Sequence, residues 1–338
     1  MKNGKLITLA IETSCDETSA ALTADGREML SNVISSQIDV HRIFGGVVPE
    51  IASRHHLENI NEVVDRAIMD SSIDAKDIDL VGVTYGPGLI GALLIGVASA
   101  KSFAFAWGKP LVGVNHIHGH INANYIAHKE LEPPFISLVI SGGHTAIVEV
   151  TDYNACRVIG KTRDDAAGEA YDKVARVLGL GYPGGPAIDE AAKSGNPQAT
   201  FFKRVFLEKD SYDFSFSGIK TGVINYLNSE RQAGRAVNVC DVAASFQMAI
   251  MEVIVAKSVN AVSFLKKDKL VLAGGVAANS LLRKMLTEEC GVRGIMLYYP
   301  PPVLCTDNAA MIGCAAYYKY KAGVTDGLSM DAYANLKI

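Results

Sequence analysis

Leu6-Ile-Thr-Leu-Ala-Ile-Glu12 is a short apolar run that leads into the polar turn Thr13-Ser14-Cys15-Asp16-Glu17-Thr18 and then into Ser19-Ala-Ala-Leu-Thr23. This order of apolar run, polar turn and second apolar run predicts a β-hairpin. The same pattern returns in Phe135-Ile-Ser-Leu-Val-Ile-Ser141, Gly142-Gly143-His144-Thr145 and Ala146-Ile-Val-Glu-Val150. A hairpin that is written twice indicates an internal duplication.

Each hairpin is followed by an amphipathic helix, a short apolar strand, a glycine turn and a further helix. The helices are predicted at Leu57 to Met69 and Val242 to Phe264, the strands at Leu80 to Val83 and Leu270 to Leu272, and the turns at Gly86-Pro87-Gly88 and Gly274-Gly275. This order predicts a duplicated α/β fold with the plan of the actin, Hsp70 and sugar-kinase (ASKHA) superfamily, with a ligand cleft between two facing halves. Two Rossmann-like domains are the alternative, but a Rossmann unit begins with parallel strands.

The size and composition of the chain predict two domains. It has 338 residues, of which 49% are hydrophobic, which is enough to fill two cores. We predict a first lobe over residues 1–110, with a C-terminal helix after about residue 305 that packs back on it. The second lobe is predicted over 111–304, with an insert around 160–235.

The charges of the chain bear on its partners, and its cysteines indicate a reducing cytoplasm. The 32 Lys and Arg residues nearly balance 36 Asp and Glu residues, so no strong field marks a nucleic-acid partner. The six cysteines form no Cys-x-x-Cys pair, which argues against a disulfide framework and a zinc ribbon. The first apolar run is short and meets Glu12 at once, so we do not expect a signal peptide.

One stretch has the composition of a membrane span. Leu80 to Ala100 carries no charge and is about long enough to cross a bilayer. Gly86-Pro87-Gly88 divides it, which predicts a strand and a helix that are each too short to do so. We therefore expect a soluble protein without membrane contact.

His116-Ile117-His118-Gly119-His120 holds three of the chain's eight histidines. On a helix, His116 and His120 share one face and can bind one cation, whereas His118 points roughly the opposite way and is interpreted as structural. The alternative is a pair of histidines that are satisfied by hydrogen bonds. Metalloproteases place a glutamate directly after the first histidine of such a pair. Ile117 occupies that position here, which argues against a protease.

Two imidazoles do not complete a coordination shell, so we expect a carboxylate from far along the chain. Asp307 is the candidate, in the stretch Cys305-Thr306-Asp307-Asn308-Ala309-Ala310-Met311-Ile312-Gly313. The polar triplet precedes an apolar helical run, which predicts Asp307 at a helix N-terminus. A carboxylate that only caps the helix is the commoner explanation at such a position.

Glycine turns are the candidate sites for nucleotide phosphate. Val139-Ile140-Ser141-Gly142-Gly143 and Gly274-Gly275-Val276-Ala277-Ala278-Asn279 expose backbone N–H groups, and glycine lets the main chain approach an anion closely. Turns that serve only chain geometry are the alternative. The absence of Gly-x-x-x-x-Gly-Lys-Ser/Thr excludes a P-loop NTPase. Asp172, inside a predicted helix, and Asp189, after a glycine turn, could hold ribose hydroxyls or a polar substrate head.

Together these motifs resemble the TsaD/Gcp family of tRNA-modifying enzymes, in its bacterial branch. The resemblance rests on Glu12-Thr-Ser-Cys-Asp-Glu-Thr18, Phe44-Gly-Gly-Val-Val-Pro-Glu-Ile-Ala-Ser-Arg-His-His56, His116-x-x-x-His120, Ser141-Gly-Gly-His-Thr145, Asp164-Asp-Ala-Ala-Gly-Glu-Ala-Tyr-Asp-Lys173, Gly184-Gly-Pro186, Phe214-Ser-Phe-Ser-Gly-Ile-Lys-Thr221, Gly274-Gly-Val-Ala-Ala-Asn279 and Cys305-Thr-Asp-Asn308. It implies transfer of a threonylcarbamoyl group from threonylcarbamoyl-AMP to N6 of adenosine 37 in tRNAs that read ANN codons.

The resemblance also implies roles for individual residues. His116, His120 and Asp307 are implied to hold an iron or zinc ion. The residues implied to contact the adenylate are Val139, Ile140, Ser141, Gly142, Gly143, Asp172, Gly185, Asp189 and Asn279, and ATP or ADP is expected at the same place. Glu12 is the candidate catalytic or supporting carboxylate, because superfamily kinases often keep one at the first hairpin turn.

The low basicity of the chain predicts that it works with the family's companions on the tRNA anticodon loop. These are a TsaB-like paralogue in a heterodimer, a TsaE-like ATPase and a TsaC-type enzyme that makes the adenylate. Two other functions stay open. A small-molecule kinase or ATPase of the superfamily would transfer phosphoryl groups from ATP without tRNA, and a nucleotide-sensing scaffold would keep its cellular role after loss of the metal ligands.

Overall fold

The structure is a computed structural model that describes residues 4–208 and 210–338. Met1 to Asn3, at the start of the predicted first lobe, lie outside these ranges. The chain divides into two compact units. The first unit contains the chain up to Pro133, together with Asp152–Cys156 and Pro300–Ile338, and the second contains Pro134–Thr151 and Arg157–Tyr299.

Each unit is built on one five-stranded sheet. Among the described residues, the strands are β1 (Ile7–Glu12), β2 (Glu17–Ala24), β3 (Glu28–Ser36), β4 (Leu80–Gly86), β5 (Leu111–Asn115), β6 (Phe135–Ile140), β7 (Thr145–Asp152), β8 (Ala155–Lys161), β9 (Lys269–Ala273) and β10 (Met296–Tyr298). The first sheet has the order β3-β2-β1-β4-β5, and the second has the order β8-β7-β6-β9-β10.

The two sheets repeat one topology. In the first, β1 pairs antiparallel with β2 and parallel with β4, and in the second β6 pairs antiparallel with β7 and parallel with β9. The last strand of each sheet, β5 or β10, is parallel to its neighbour. This repeat confirms the predicted duplicated α/β fold.

Helices connect these strands and cover the sheets. Within the described residues they are α1 (Ile38–Arg42), α2 (Pro49–Ser71), α3 (Ile90–Trp107), α4 (His116–Ala127), α5 (Ala167–Val177), α6 (Gly184–Ala192), α7 (Ser217–Gln232), α8 (Val239–Phe264), α9 (Ser280–Arg293), α10 (Pro302–Cys305) and α11 (Ala309–Lys321). The predicted helices over Leu57 to Met69 and Val242 to Phe264 therefore begin earlier in the structure, at Pro49 and at Val239. Pro49 begins α2 because its ring fixes a helical φ angle and its missing N–H group costs nothing in the first turn.

The boundary between the two units lies later than the predicted residue 110. β5 begins at Leu111 and pairs in parallel with β4, where Leu111 lies opposite Val81. This pairing places β5, and the helix α4 that follows it directly, in the first unit. α11 packs against β1 and α4 of the same unit, and a Cβ added at Gly82 of β4 would lie 2.7 Å from the Ala316 Cβ.

Two helices are long and apolar enough to cross a membrane, by length and composition alone. The sequence predicted that the helix after Gly88 is too short to cross a bilayer. This prediction was wrong, because α3 does not end near Ala100 but continues to Trp107. Core helices of soluble proteins pass the same test. The apolar window is 33% buried in α3 and 67% buried in α8.

Candidate functional site

The paired histidines lie at the start of α4. The Asn115 side chain caps this helix by accepting hydrogen bonds from the backbone N–H groups of Ile117 and His118. This cap fixes the first turn directly after β5. His116 and His120 are both buried on one face, with ring centroids 4.6 Å apart, as the four-residue spacing predicted.

Asp307 lies beside both imidazoles. Its Oδ1 is 3.5 Å from His116 Nε2 and 3.1 Å from His120 Nε2. Ligand atoms of the three residues all lie within 4.8 Å of one another, so the group could hold a metal ion. All three belong to the first unit. This corrects the predicted lobe bounds, which put His116 and His120 in the second lobe and Asp307 with the first.

The N-cap of α11 is Asn308 rather than Asp307. The Asn308 side chain accepts a hydrogen bond from the backbone N–H of Met311. Capping therefore does not account for Asp307, which precedes the cap. Helix α11 also lies close to α4, since a Cβ at Gly119 would be only 2.6 Å from the Ile312 Cδ1. The glycine between the histidines thus permits the approach that brings Asp307 to them.

The electrostatics of this group suit a cation. His120 Nε2 is close to Asp307, but neither ring nitrogen of His120 has a partner with hydrogen-bond geometry among the described residues. Burial disfavours a charged His116, but the charges of Asp307 and Glu12 outweigh burial and raise its pKa to about 9. Burial, with repulsion from Asp307 and Asp16, raises the pKa of Glu17 to about 9. An added positive charge would relieve this repulsion.

Glu12 contacts Nδ1 of His116, the ring nitrogen that does not face Asp307. Its carboxylate is fully buried, lies 3.1 Å from His116 Nδ1 and accepts hydrogen bonds from the Ser14 N–H and the Thr84 hydroxyl. Burial alone would raise the pKa of Glu12, but the charge and hydrogen bond of His116 lower it below its ordinary value. A carboxylate without exposed surface cannot meet a substrate, so the structure does not favour the predicted catalytic role. It has the position of a group that orients a metal-binding imidazole.

His118 points to different neighbours, as expected for a structural residue. Its Nε2 lies 3.1 Å from the Cys156 Sγ. Burial, reinforced by the charge of Lys319, lowers the pKa of His118 to about 4. The ring is therefore neutral near pH 7, and no carboxylate of the described residues raises its pKa as Asp307 and Glu12 raise that of His116.

The first glycine turn of the second unit follows β6. Val139 and Ile140 are fully buried strand residues, so their side chains belong to the sheet core and only their main chain is available to a ligand. Gly142 and Gly143 are exposed. A Cβ at either glycine would meet no atom of the described residues within 4 Å. Packing therefore does not require glycine at these positions. The open space would let a ligand approach the main chain.

At two nearby positions, in contrast, packing does require glycine. A Cβ at Gly168 would lie 2.6 Å from the Ser141 carbonyl oxygen, and one at Gly274 would lie 2.6 Å from the Ile140 carbonyl oxygen. These two glycines therefore permit α5 and the end of β9 to pack against the turn. The structure thus brings both predicted glycine turns of the second unit together.

The predicted carboxylate Asp172 contacts the start of helix α6, and Asp189 lies within that helix. The Asp172 Oδ1 accepts a hydrogen bond of 2.7 Å from the Gly184 N–H at the start of this helix. Gly185 follows, and a Cβ there would meet no atom within 4 Å. Asp189, one turn further on, accepts hydrogen bonds from Ser280 and from the Asn279 side chain.

Asn279 has a structural role of its own. Its Oδ1 caps α9 by accepting from the Leu282 N–H, while its Nδ2 donates to Asp189 and to Gln247. Gln247 was missed from the sequence, where it stands in the apolar run Ala243-Ala-Ser-Phe-Gln-Met-Ala249. A lone amide in such a run is the signal that could have identified it, because a buried amide needs hydrogen-bond partners.

The two sheets of matching order give the chain the fold of the actin, Hsp70 and sugar-kinase class. Two solved structures share this fold. HypF from T. kodakarensis has a TM-score of 0.63 and 13% identity, over 96% of this chain and 50% of that chain. The (R)-2-hydroxyglutaryl-CoA dehydratase component A of Acidaminococcus fermentans has a TM-score of 0.55 and 16% identity, over 94% of this chain and 98% of that chain.

Sequence comparison identifies the family within this class. The profile of the TsaD family, described as tRNA N6-adenosine threonylcarbamoyltransferase, matches residues 28–314. A protein of that name from Clostridioides difficile (strain 630) is 57% identical over 333 residues, which cover 98% of each chain. The chain therefore belongs to the TsaD family of tRNA N6-adenosine threonylcarbamoyltransferases and is a transferase.

Proposed function

We propose that the protein transfers the threonylcarbamoyl group from threonylcarbamoyl-AMP to N6 of adenosine 37 in tRNAs that read ANN codons. The observation that carries this proposal is the group formed by the buried His116 and His120 and the partly buried Asp307 in a chain of this family. Family membership supports threonylcarbamoylation of adenosine in general. The donor, the position and the codon class are our proposal.

We assign His116, His120 and Asp307 as ligands of one divalent ion. Two imidazoles and a carboxylate suit iron, which we propose, and zinc is the alternative. The ring nitrogens of His120, which lack hydrogen bonds within the described residues, fit this assignment. When bound, such an ion orients and polarises the threonylcarbamoyl group.

The remaining chemistry is acyl transfer from a mixed anhydride. AMP is a good leaving group, so the protein needs no covalent nucleophile. It needs to position the donor and to stabilise negative charge on the departing phosphate. We assign the phosphate to the exposed main chain of Gly142 and Gly143, and the polar groups of the adenylate to Asp172, Gly185, Asp189 and Asn279. ATP or ADP is proposed to bind the same residues.

Glu12 is proposed to hold His116 in the orientation that directs Nε2 towards the ion. The Glu12 carboxylate and the Ser14 hydroxyl both lie 3.1 Å from His116 Nδ1. When the carboxylate accepts the Nδ1 proton, Nε2 is left for the ion, which would replace the second proton that His116 carries in the metal-free protein. The attacking nitrogen is the exocyclic amine of an adenine that is splayed out of the anticodon loop. No general base is assigned to this chain.

We propose that the chain acts with a TsaB-like paralogue, a TsaE-like ATPase and a TsaC-type enzyme that supplies the adenylate. The net charge of −4 supports shared tRNA binding, because one chain offers little attraction for phosphates. An apolar row on α3 supports a heterodimer. Ile90, Leu94 and Phe105 are 47%, 44% and 76% exposed there, and a partner surface would cover them.

The proposed compartment is the cytoplasm. The six cysteines form no disulfide in the described part of the chain, as a reducing environment would require. tRNA is also modified in the cytoplasm, so the proposed substrate and the cysteine chemistry agree.

Nucleoside mass spectrometry tests the proposed function. The protein is incubated with its companions, threonine, bicarbonate, ATP and an ANN-reading tRNA, and the tRNA is digested to nucleosides. We expect threonylcarbamoyl-adenosine that is absent when this chain is omitted. Fragment analysis should place it at position 37, and a tRNA with guanosine at position 37 should remain unmodified.

Two results would overturn the proposal. One is a complete reaction mixture that yields no threonylcarbamoyl-adenosine although the adenylate is present. The other is phosphoryl transfer from ATP to a small molecule by this chain without tRNA, which would favour a kinase. Tight tRNA binding and full turnover by the isolated chain at physiological salt would contradict the proposed partners but not the reaction.

A further inference from the structure

Gln247 is a buried polar residue in the middle of α8. Its side chain is 3% exposed, and the helix around it is mostly apolar and buried. Burying an amide costs free energy unless both its N–H and its C=O groups find partners. The hydrogen-bond partners of Gln247 therefore show which groups position its amide and which side chains the amide positions.

The Gln247 amide connects three side chains of the second unit. Its Nε2 donates to Asp189 Oδ1 over 3.1 Å. Its Oε1 accepts from Asn279 Nδ2 over 3.0 Å and from the Tyr171 hydroxyl over 3.4 Å. A carboxylate can only accept, so the Gln247 NH₂ group must face Asp189, and its carbonyl then faces Asn279. The orientation of the amide is thus determined by its neighbours.

The same contacts determine the orientation of Asn279. Its Nδ2 is directed towards Gln247 and Asp189, which leaves Oδ1 to cap α9 through the Leu282 N–H. A reversed Asn279 amide would place its oxygen against the Asp189 carboxylate and the Gln247 carbonyl, and no donor would lie between them. Gln247 therefore holds two side chains that we assign to the adenylate.

We propose that Gln247 is a positioning residue for the acyl donor, which fixes the side chains of Asp189 and Asn279 in the conformation that binds the adenylate. This proposal rests on the proposed function. Gln247 acts through its two neighbours and does not itself contact the donor. Loss of a buried positioning group weakens binding of the ligand in ground state and transition state alike, so KM for the donor should change more than kcat.

Steady-state kinetics of the complete enzyme with its companions test this proposal. Gln247→Met keeps the length of the side chain and removes both hydrogen-bonding groups. We expect the donor KM to rise about tenfold, which corresponds to about 1.4 kcal/mol, because buried polar groups of Asp189 and Asn279 lose their partner. The KM for tRNA and kcat should change by less than about threefold.

Three further variants separate positioning from folding. Gln247→Glu keeps an acceptor for Asn279 but opposes Asp189 with a second carboxylate, so its donor KM should rise at least as much. Tyr171→Phe removes only the long 3.4 Å contact and should change the donor KM by less than about twofold. Ser258→Ala removes a buried hydroxyl on the same helix that has no hydrogen-bond partner among the described residues, and it should leave all constants unchanged.

The outcomes distinguish this proposal from the proposed function. Wild-type enzyme that forms no threonylcarbamoyl-adenosine overturns the function itself. Wild-type enzyme that turns over, together with a Gln247→Met enzyme whose donor KM stays within twofold, overturns only the positioning role. If Gln247→Met does not fold, Gln247→Glu is judged by the same criterion. Equal changes in the KM for donor, the KM for tRNA and kcat would indicate a merely structural residue and contradict the proposal.

Discussion

The two units have the same sheet order but opposite chemistry at the turn after their first strand. In the first unit, β1 ends in Glu12, whose buried carboxylate lies 3.1 Å from His116 Nδ1, and the turn that follows carries the buried Asp16. In the second unit, β6 ends in Ile140 and the turn carries Gly142 and Gly143, which offer only main chain. The same topology thus presents charged side chains at this turn in the first unit and exposed glycine main chain in the second.

This difference explains how a duplicated fold can bind two unlike chemical groups. Carboxylates and imidazoles in a buried setting favour a cation, whereas exposed N–H groups favour an anion. The proposed cation ligands lie on α4 and just before α11, with Glu12 of β1 beside His116, whereas the glycines that we assign to the phosphate follow β6. Substitutions at these two places should therefore have different effects.

Removal of a metal ligand from the first unit should have the largest effect. His120→Ala and Asp307→Ala should each lower metal content and threonylcarbamoyl transfer by more than about 100-fold, because loss of even an outer supporting residue costs about 10–100-fold. Metal content is measured by inductively coupled plasma mass spectrometry. His118→Ala, on the same helix, should retain the metal, and equal loss in all three variants would contradict the assignment.

Glu12→Gln tests whether the supporting carboxylate belongs to the metal centre. The amide cannot accept the His116 proton as strongly, so metal affinity should fall about 10–100-fold. Competition with a coloured chelator measures this affinity. Thr84→Val removes only one of the hydrogen bonds to Glu12 and should have a smaller effect. Unchanged metal affinity and turnover in Glu12→Gln would remove any role for this residue.

In the second unit, the addition of a single methyl group should be sufficient to impair donor binding. The added methyl group of Gly142→Ala meets none of the residues that the structure describes, so the thermal stability should be unchanged while the donor KM rises about tenfold. That rise corresponds to roughly one hydrogen bond to a charged group, about 1.5–3 kcal/mol. Gly168→Ala should show the reverse pattern of lower stability, since its methyl group would collide with the Ser141 main chain. A stable Gly142→Ala enzyme with an unchanged KM would contradict the phosphate assignment.

The smallest effect concerns the cap of α11. Asn308→Ala removes the side-chain acceptor for the Met311 N–H and should lower the free energy of unfolding by about 1 kcal/mol. Denaturant unfolding in the presence of a chelator measures this change without a contribution from metal binding. Asn225→Ala, on an exposed part of α7, serves as the control and should cost nothing. An Asn308→Ala protein as stable as wild type would return the capping role to Asp307.

The sequence predicted the fold well because its signals are local. The hairpins at Leu6 to Thr23 and Phe135 to Val150, and the glycine turns that follow them, depend on short apolar runs and on residues that tolerate tight turns. The His116 and His120 pair was predictable for the same reason, since a spacing of four residues on one helix places two side chains on one face. Strand and helix ends were less accurate because they depend on caps and tertiary contacts.

Long-range contacts explain what the sequence did not show. The parallel pairing of β5 with β4 moved the boundary between the units, and the burial of Glu12 against His116 favours the supporting role over the catalytic one. Gln247 meets Asp189 and Asn279 only after α6, α8 and α9 have packed. No spacing rule relates residues that lie so far apart in the chain.

The most direct test of the central claim is anomalous X-ray diffraction at the iron and zinc absorption edges, on crystals of protein purified without chelators. We predict one anomalous peak per chain, bonded to the Nε2 atoms of His116 and His120 and to the Asp307 carboxylate. A well-ordered His116, His120 and Asp307 group with no peak between them, in protein that forms threonylcarbamoyl-adenosine, would contradict the claim.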